Sequence, residues 1–352
     1  MAINSNFVQI GYNRIWRMLN SHNQTACIST TNIRLQWFQS VKMKTFNEIP
    51  IIDLSHDTDT ITTHFATAYS TAGFAYIENH GVNQALIEAT FEASRNFHAL
   101  SEPKKQAIAL DQNHRGYIPI NTSTDVNSKL ADVKKPNQSS SFMMMGESMA
   151  TQDEYLSGAN QWPDLTGFRT TLTAYASEMT ALGQRLIKIA AKACSSDPNE
   201  LIPAFERPTI WLRLLYYPPI PQKSADDLYS SAPHTDFGAL TLLAQDEIGG
   251  LQVQKPSGDW IDAPKIDDTL IVNVGDMLNR FSNGFLKSTP HRVINRSGRE
   301  RYSIPFFFDP HVNTTIAPLA GTGKPKFTSL NFGDFLRNEL CASYDRHKND
   351  AP

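Results

Sequence analysis

The sequence predicts a mainly β fold, a jelly roll or barrel of two stacked sheets supported by helices. Three observations carry that expectation. After Pro208 the chain breaks into short β-branched and aromatic runs separated by Gly, Pro and Asp turns. Before it lie segments whose apolar residues recur at helical intervals, the longest over 165–194. Finally, 352 residues, 40% of them hydrophobic, are enough for one large core or two modest ones, and there is no internal repeat.

In chain order, Ile49 to Leu54 reads as a strand and 61–72 as a helix, with Phe65, Ala68 and Tyr69 at helical spacing. Gly73 to Val82 reads as strand and turn between two glycines. Asn83 is the expected N-cap of a helix reaching Leu100, with Leu86, Ile87, Phe91 and Phe97 inward. Residues 112–162 are rich in Ser, Asn, Gly and Pro and read as long loops with one or two strands. The Met143–Met145 run within them is expected to pack, and to line part of a pocket. In the 165–194 helix, Phe168, Leu172, Tyr175, Met179, Leu182, Leu186 and Ile189 form one face. Strands are expected over 209–217, 239–245, 251–254, 269–274, 291–295 and 302–308, with a closing helix over 331–344. Three regions follow: 1–47, 48–162 (helix-rich) and 163–345 (the β core with its leading and closing helices).

Residues 1–47 contain no Asp or Glu but five basic residues and many Ser, Thr and Asn. They read as an extension outside the fold, either disordered or non-native with Met43 as the true start, or as an organellar targeting segment. A net charge of −3, with both signs interspersed, draws the chain to neither nucleic acid nor anionic membrane. No apolar run approaches the ~20 residues that span a bilayer. Three well-separated cysteines, Cys27, Cys194 and Cys341, indicate reduced thiols rather than a disulfide framework. A cytoplasmic monomer is expected.

One constellation carries chemistry. In extended backbone, residues i and i+2 share a face, so His234 and Asp236 converge, and His291 opens another strand 57 residues later. Two imidazoles and a carboxylate leave half of an octahedron open, the set expected of non-haem Fe(II) oxygenases, where a co-substrate and O2 must both reach the metal. Ten residues after His291, Arg301 and Ser303 share a strand face, where a guanidinium fork beside a hydroxyl suits the far end of a metal-bound dicarboxylate. The other histidines read as structural, His80 as part of a turn.

These residues sit within a wider pattern. It includes Gly73–Val82, Leu215-Tyr216-Tyr217-Pro218-Pro219, Pro233-His234-Thr235-Asp236 and Gly249-Gly250-Leu251-Gln252-Val253. It continues through Asn273-Val274-Gly275-Asp276, Ser288–Val293 and Arg301-Tyr302-Ser303. From Glu48 to Tyr344 the chain resembles the isopenicillin N synthase-like family of Fe(II)- and 2-oxoglutarate-dependent oxygenases, which includes plant flavonoid and hormone oxygenases. The resemblance implies a distorted double-stranded β-helix with supporting helices. It implies His234, Asp236 and His291 as iron ligands, and Arg301 with Ser303 as the pair holding the distal carboxylate of 2-oxoglutarate. Tyr217, or less closely Tyr216, matches a tyrosine that contacts that carboxylate. Leu215 departs from the Asn that many plant members carry. The activity implied is hydroxylation, desaturation or cyclisation of a small molecule with release of succinate and CO2. Other readings are an Fe(II) oxidase of the same fold that does not use 2-oxoglutarate, an inactive jelly-roll binding protein, and a zinc hydrolase, which would need a general base that the sequence does not place. Substrate choice is expected to rest on the 112–162 loops, residues 220–232 and the closing helix.

Overall fold

The computed structural model describes residues 48–124, 130, 135–147, 154–194, 196–220, 228–344 and 347. The chain divides into two units, Met1–Lys44 and Thr45–Pro352, and the expectations for 1–47 and for 221–227 lie outside the described residues. Helices begin where short polar side chains take up free N–H groups. Asp57 accepts from the N–H groups of Asp59 and Thr60 ahead of α1 (Thr58–Thr71). Asn83, the expected cap, accepts from Ala85 N–H at the start of α2 (Gln84–His98). Proline in the first turn opens the short α3 (Glu102–Gln106) and α5 (Pro198–Leu201). Between them runs α4 (Phe168–Ala193), which buries Phe168, Leu172, Tyr175, Met179, Leu182 and Leu186 as its periodicity requires. Six-residue α6 (Asp276–Phe281) precedes α7 (Phe332–Ser343), which Asn331 caps by accepting from Asp334 N–H.

Eight strands make the major sheet, in the order β1 (Ile51–Asp53), β2 (Phe74–Glu78), β10 (Leu270–Val274), β7 (Leu240–Gln245), β12 (Arg301–Asp309), β5 (Thr209–Tyr217), β4 (Ser140–Met145) and β3 (Gly116–Ile118). A four-stranded minor sheet follows the order β6 (Ser231–His234), β11 (His291–Val293), β8 (Leu251–Gln254) and β9 (Trp260–Asp262). The short pair β13 (Thr315–Ile316) and β14 (Leu330–Asn331) leads into α7. The two larger sheets and their supporting helices form a double-stranded β-helix.

Period-two alternation gives the major sheet two different faces. One face packs on the helices: Phe142 of β4 meets Phe97 and Phe168 at centroid distances of 5.1 Å each, and Phe308 of β12 lies under α4. Each such fully buried aromatic contributes about 2–3 kcal/mol. α4 comes this close only because Gly183 lacks a side chain, since a Cβ there would stand 2.6 Å from the Phe308 ring. The other face looks toward the minor sheet. It carries Phe74, Tyr76, Leu215, Tyr217 and Ile271, which pack with Leu251, Val253 and Val293. Expected and observed strand limits differ by a residue or two. Sequence patterning shows no strand at β6, whose four residues include Pro233, and no helix at α6, which is too short to show a period. Among the described residues no helix is long and apolar enough to cross a membrane.

Candidate metal centre and substrate cavity

His234 ends β6 and His291 opens β11, and the register sets them opposite each other with ring centroids 4.3 Å apart. Both follow a proline. Each ring places Nδ1 on the carbonyl two residues upstream: Ala232 O at 2.7 Å for His234, Thr289 O at 3.2 Å for His291. A carbonyl only accepts, so Nδ1 carries the proton and the Nε2 lone pair points inward. Pro233 is tolerated because β6 is a sheet edge, and β6 holds one residue more than β11 between its two paired positions.

Asp236 lies in the turn after β6, with Oδ1 3.6 Å from Nε2 of each histidine. Its other oxygen accepts from the Thr241 hydroxyl of β7 and, at 2.7 Å, from the Asn273 amide of β10. Burial alone would raise this carboxyl; the charge of the His291 and His234 rings in their protonated form, with the Asn273 amide, outweighs it and holds Asp236 well below the usual carboxylate range. The turn is tied down from α6. Asp276 N–H donates to Asp236 O at 2.8 Å, and the Asp276 carboxylate accepts from Ser288, at 2.6 Å, and from Thr235. One helix start thus joins the His234 and His291 segments. The three inward atoms lie within 4.8 Å of one another, so one divalent ion with bonds of about 2.1 Å fits between them, its remaining positions open.

Arg301, Ser303 and Tyr217 also meet. Register places Arg301 opposite Tyr217, and the guanidinium lies 4.6 Å from the tyrosine ring centre. Ser303 Oγ stands 3.3 Å from both Arg301 Nη1 and the Tyr217 hydroxyl. Arg301 is 0% exposed, and its remaining donors meet only neutral acceptors, Gly249 O at 2.6 Å and Gln245 Oε1 at 3.4 Å. Among the described residues no carboxylate lies within ion-pair distance of it, although the Asp246 carboxylate, which accepts from Tyr302 N–H, is near enough to feel its charge. Tyr216 faces the other way, donating to Glu300 at 3.0 Å.

Beside His234 and Asp236 is a cavity of about 110 Å³. Its walls come from Met143 on β4, Trp211 and Arg213 on β5, Phe307 and Asp309 on β12, and Leu336, Leu340 and Tyr344 at α7. The Met143 wall and the closing-helix wall fall in regions where substrate choice was expected; the β5 and β12 residues were not foreseen. Asp309 Oδ1 accepts from Ala239 N–H at 2.8 Å and Oδ2 from the Trp211 indole at 3.0 Å. Burial, with the nearby Asp236 charge adding to it, pushes Asp309 up to about 7 against those two bonds. Gly238 permits its approach, because a Cβ there would overlap the Asp309 carboxylate. His114 and His347, each read from sequence as lone structural histidines, form a buried pair at 2.9 Å beside the cavity. Burial, with His347, Arg213 and Arg115 adding to it, holds the His114 ring well below its usual range and so neutral.

A double-stranded β-helix with a His–Asp–His cluster and a buried arginine across from Tyr217 on the major sheet defines the class: Fe(II)- and 2-oxoglutarate-dependent dioxygenases, which oxidise small molecules with O2 and release succinate and CO2. Residues 209–310 match the model of the 2OG-Fe(II) oxygenase superfamily, and 49–165 match that of the N-terminal region of non-haem dioxygenases in morphine synthesis. The 2-oxoglutarate-Fe(II) type oxidoreductase hxnY of Emericella nidulans is 33% identical over 294 residues, 78% of this chain and 82% of that protein. Homoarginine-6-hydroxylase of Glycine max is 29% identical over 335 residues, covering 85% and 98%. The crystal structure of a full-length Neurospora crassa protein in complex with alpha-KG aligns with a TM-score of 0.74 and 30% identity over 83% of this chain and 96% of that one. The chain belongs to the 2OG-Fe(II) oxygenase superfamily.

Proposed function

We propose that His234, Asp236 and His291 are the iron ligands of this dioxygenase and that Arg301, Ser303 and Tyr217 seat the distal carboxylate of 2-oxoglutarate. The observation that carries the second assignment is the fully buried Arg301, whose guanidinium has no carboxylate within ion-pair distance among the described residues and only the more distant Asp246 charge to offset it. A buried cation left so is unstable unless an anion arrives, and its fork suits a carboxylate held at two points. Bound together, ferrous iron and 2-oxoglutarate would let O2 take two electrons from the substrate, its other two coming from oxidative decarboxylation of the co-substrate to succinate and CO2. The chain's own part is orientation: Arg301 and Ser303 fix one end of the dicarboxylate, Thr241 and Asn273 keep Asp236 Oδ1 turned inward, and the cavity holds the substrate beside the ligands. The modest net charge, with both signs interspersed, fits work without nucleic acid or an anionic membrane, and a cytoplasmic monomer completes the proposal.

The test is titration of the anaerobic Fe(II) protein with 2-oxoglutarate, followed by the metal-to-ligand absorption band. Losing a charge-assisted pair to a buried carboxylate costs about 2–5 kcal/mol, so Arg301→Ala is expected to weaken binding roughly 30-fold to several-thousand-fold. Arg301→Lys keeps the charge but not the fork and falls between. His291→Ala is expected to lose bound iron. A wild type with no band, and O2 uptake indifferent to 2-oxoglutarate, would favour the oxidase that does not use this co-substrate.

A further inference from the structure

Arg213 lines the cavity but takes no part in either group of residues described above. On β5 it shares a face with Trp211, two residues and so about 7 Å away, and both side chains border the cavity. Its Nε donates to Ser141 Oγ at 2.8 Å and its Nη1 to the Tyr344 hydroxyl at 3.4 Å, both neutral acceptors. Among the described residues no carboxylate pairs with it. The cavity's other acid near this wall, Asp309, does not serve it, because both Asp309 oxygens are taken by Ala239 N–H and the Trp211 indole. His114, beside the guanidinium, stays uncharged. With Asp236 committed to the metal, the cavity presents one cation with spare donors and no anion open to a ligand. Met143, Trp211, Phe307, Leu336 and Leu340 give the cavity an apolar side, while the polar groups beside Arg213, such as Ser343 and Tyr344, are neutral. A volume of about 110 Å³ is of the order that admits a body the size of one six-membered ring.

We propose that the substrate is a small monocarboxylic acid, its carboxylate held by Arg213 and its apolar body lying against Trp211 and Phe307 beside the metal ligands. This rests on the dioxygenase reading and deepens it, since it takes the cavity beside His234 and Asp236 as the place of oxidation. A substrate amine would find no free acceptor of opposite charge there. A neutral molecule would leave the guanidinium half-satisfied, which is where the preference for an acid comes from.

The experiment uses the anaerobic Fe(II) protein saturated with 2-oxoglutarate, so that small acids cannot occupy the Arg301 side. Calorimetric titration compares benzoate with benzamide, phenylacetate with phenylacetamide, and hexanoate with hexanamide. In at least one pair the acid is expected to bind roughly 10- to 150-fold more tightly than its amide. Arg213→Gln is expected to bring that ratio to within about threefold, its fold checked by thermal melting. Arg213→Lys keeps the charge without the fork, so it retains a preference for the acid at lower affinity, and it stands in should the Gln protein not fold. No preference for any acid in the wild type, an undiminished preference in Arg213→Gln, or unchanged acid affinity in Arg213→Lys would each overturn the proposal. The 2-oxoglutarate band is recorded on the same wild-type samples. Its absence would overturn the co-substrate reading, while the acid-to-amide ratio and its response to Arg213→Gln still decide this one.

Discussion

Beside the centre, Asp309 carries a charge that changes between mildly acid and neutral solution. Its carboxyl sits at about 7 instead of the ordinary 3.8. The folded protein thus holds a proton that the unfolded chain has already released, and stability falls as pH rises from about 4 to 7, levelling off above that. Three pH units correspond to up to about 4 kcal/mol. Asp309→Asn mimics the protonated acid at every pH, at the expense of one bond, because its amide cannot serve both Ala239 N–H and the Trp211 indole. In urea denaturation of the iron-free proteins, the advantage of wild type over Asp309→Asn is expected to be largest near pH 4, to shrink steadily up to about pH 7, and to be least or reversed by pH 8. A constant difference would show that Asp309 stays ionised throughout. At this scale the sequence was legible where side-chain type and spacing coincide. His234, Asp236, His291, Arg301, Ser303 and Tyr217 could all be named, and they lie in two groups in the structure. Thr241 and Gln245, both in the otherwise apolar β7, could not, and Asn273 entered only as part of the wider pattern, without a role. Asn273 among Leu270, Ile271, Val272 and Val274 was still a signal: a polar side chain on a central strand needs a buried partner.

α7 closes one wall of the cavity while anchoring itself in the core. Phe332, Leu336 and Leu340 are 0–2% exposed, and Thr124 N–H donates to Ser343 O at 3.0 Å where the helix ends. Leu340→Ala removes a side chain that serves both roles and is expected to cost about 2–5 kcal/mol, read as a lower urea midpoint. Asn338→Ala, on the exposed side of the same helix, is expected to stay within about 0.5 kcal/mol. Equal effects would mean that the helix packs by another face. Elements with a sustained period, α2, α4, β5 and α7, could be read from the chain to within a few residues. β6 could not, since its four residues include Pro233 and its pairing depends on β11, some 57 residues away. Local pattern cannot report a partner that distant.

For the molecule as a whole, strand order was the least legible feature. β2 lies next to β10, and β3 and β4 extend the same sheet beyond β5, joining residues from both halves of the sequence. Alternation tells which face is buried but not which neighbour supplies the ladder. The jelly-roll class was nonetheless readable from the density of short strands. Where the fold begins can be checked directly. The described structure opens at Glu48, close to the last Met before the first strand, Met43. A chain started at Met43 is expected to melt within a few degrees of the full one and to bind 2-oxoglutarate alike. A drop of ten degrees would show that the preceding residues pack on the core.

The repeated Pro-His unit, with each imidazole fixed by the carbonyl just before the proline, bears on which metal the protein carries. Both rings are aimed and hold the right tautomer before any ion arrives, so the site stands ready for every divalent first-row cation that accepts nitrogen and oxygen donors. Readiness of this kind confers little discrimination: at equal free concentration copper, nickel and cobalt bind such a set more tightly than ferrous iron, and zinc competes as well. Occupancy by iron then depends on which ions are available when the chain folds, and a preparation purified in air would carry a mixture in which only the iron-bearing fraction turns over.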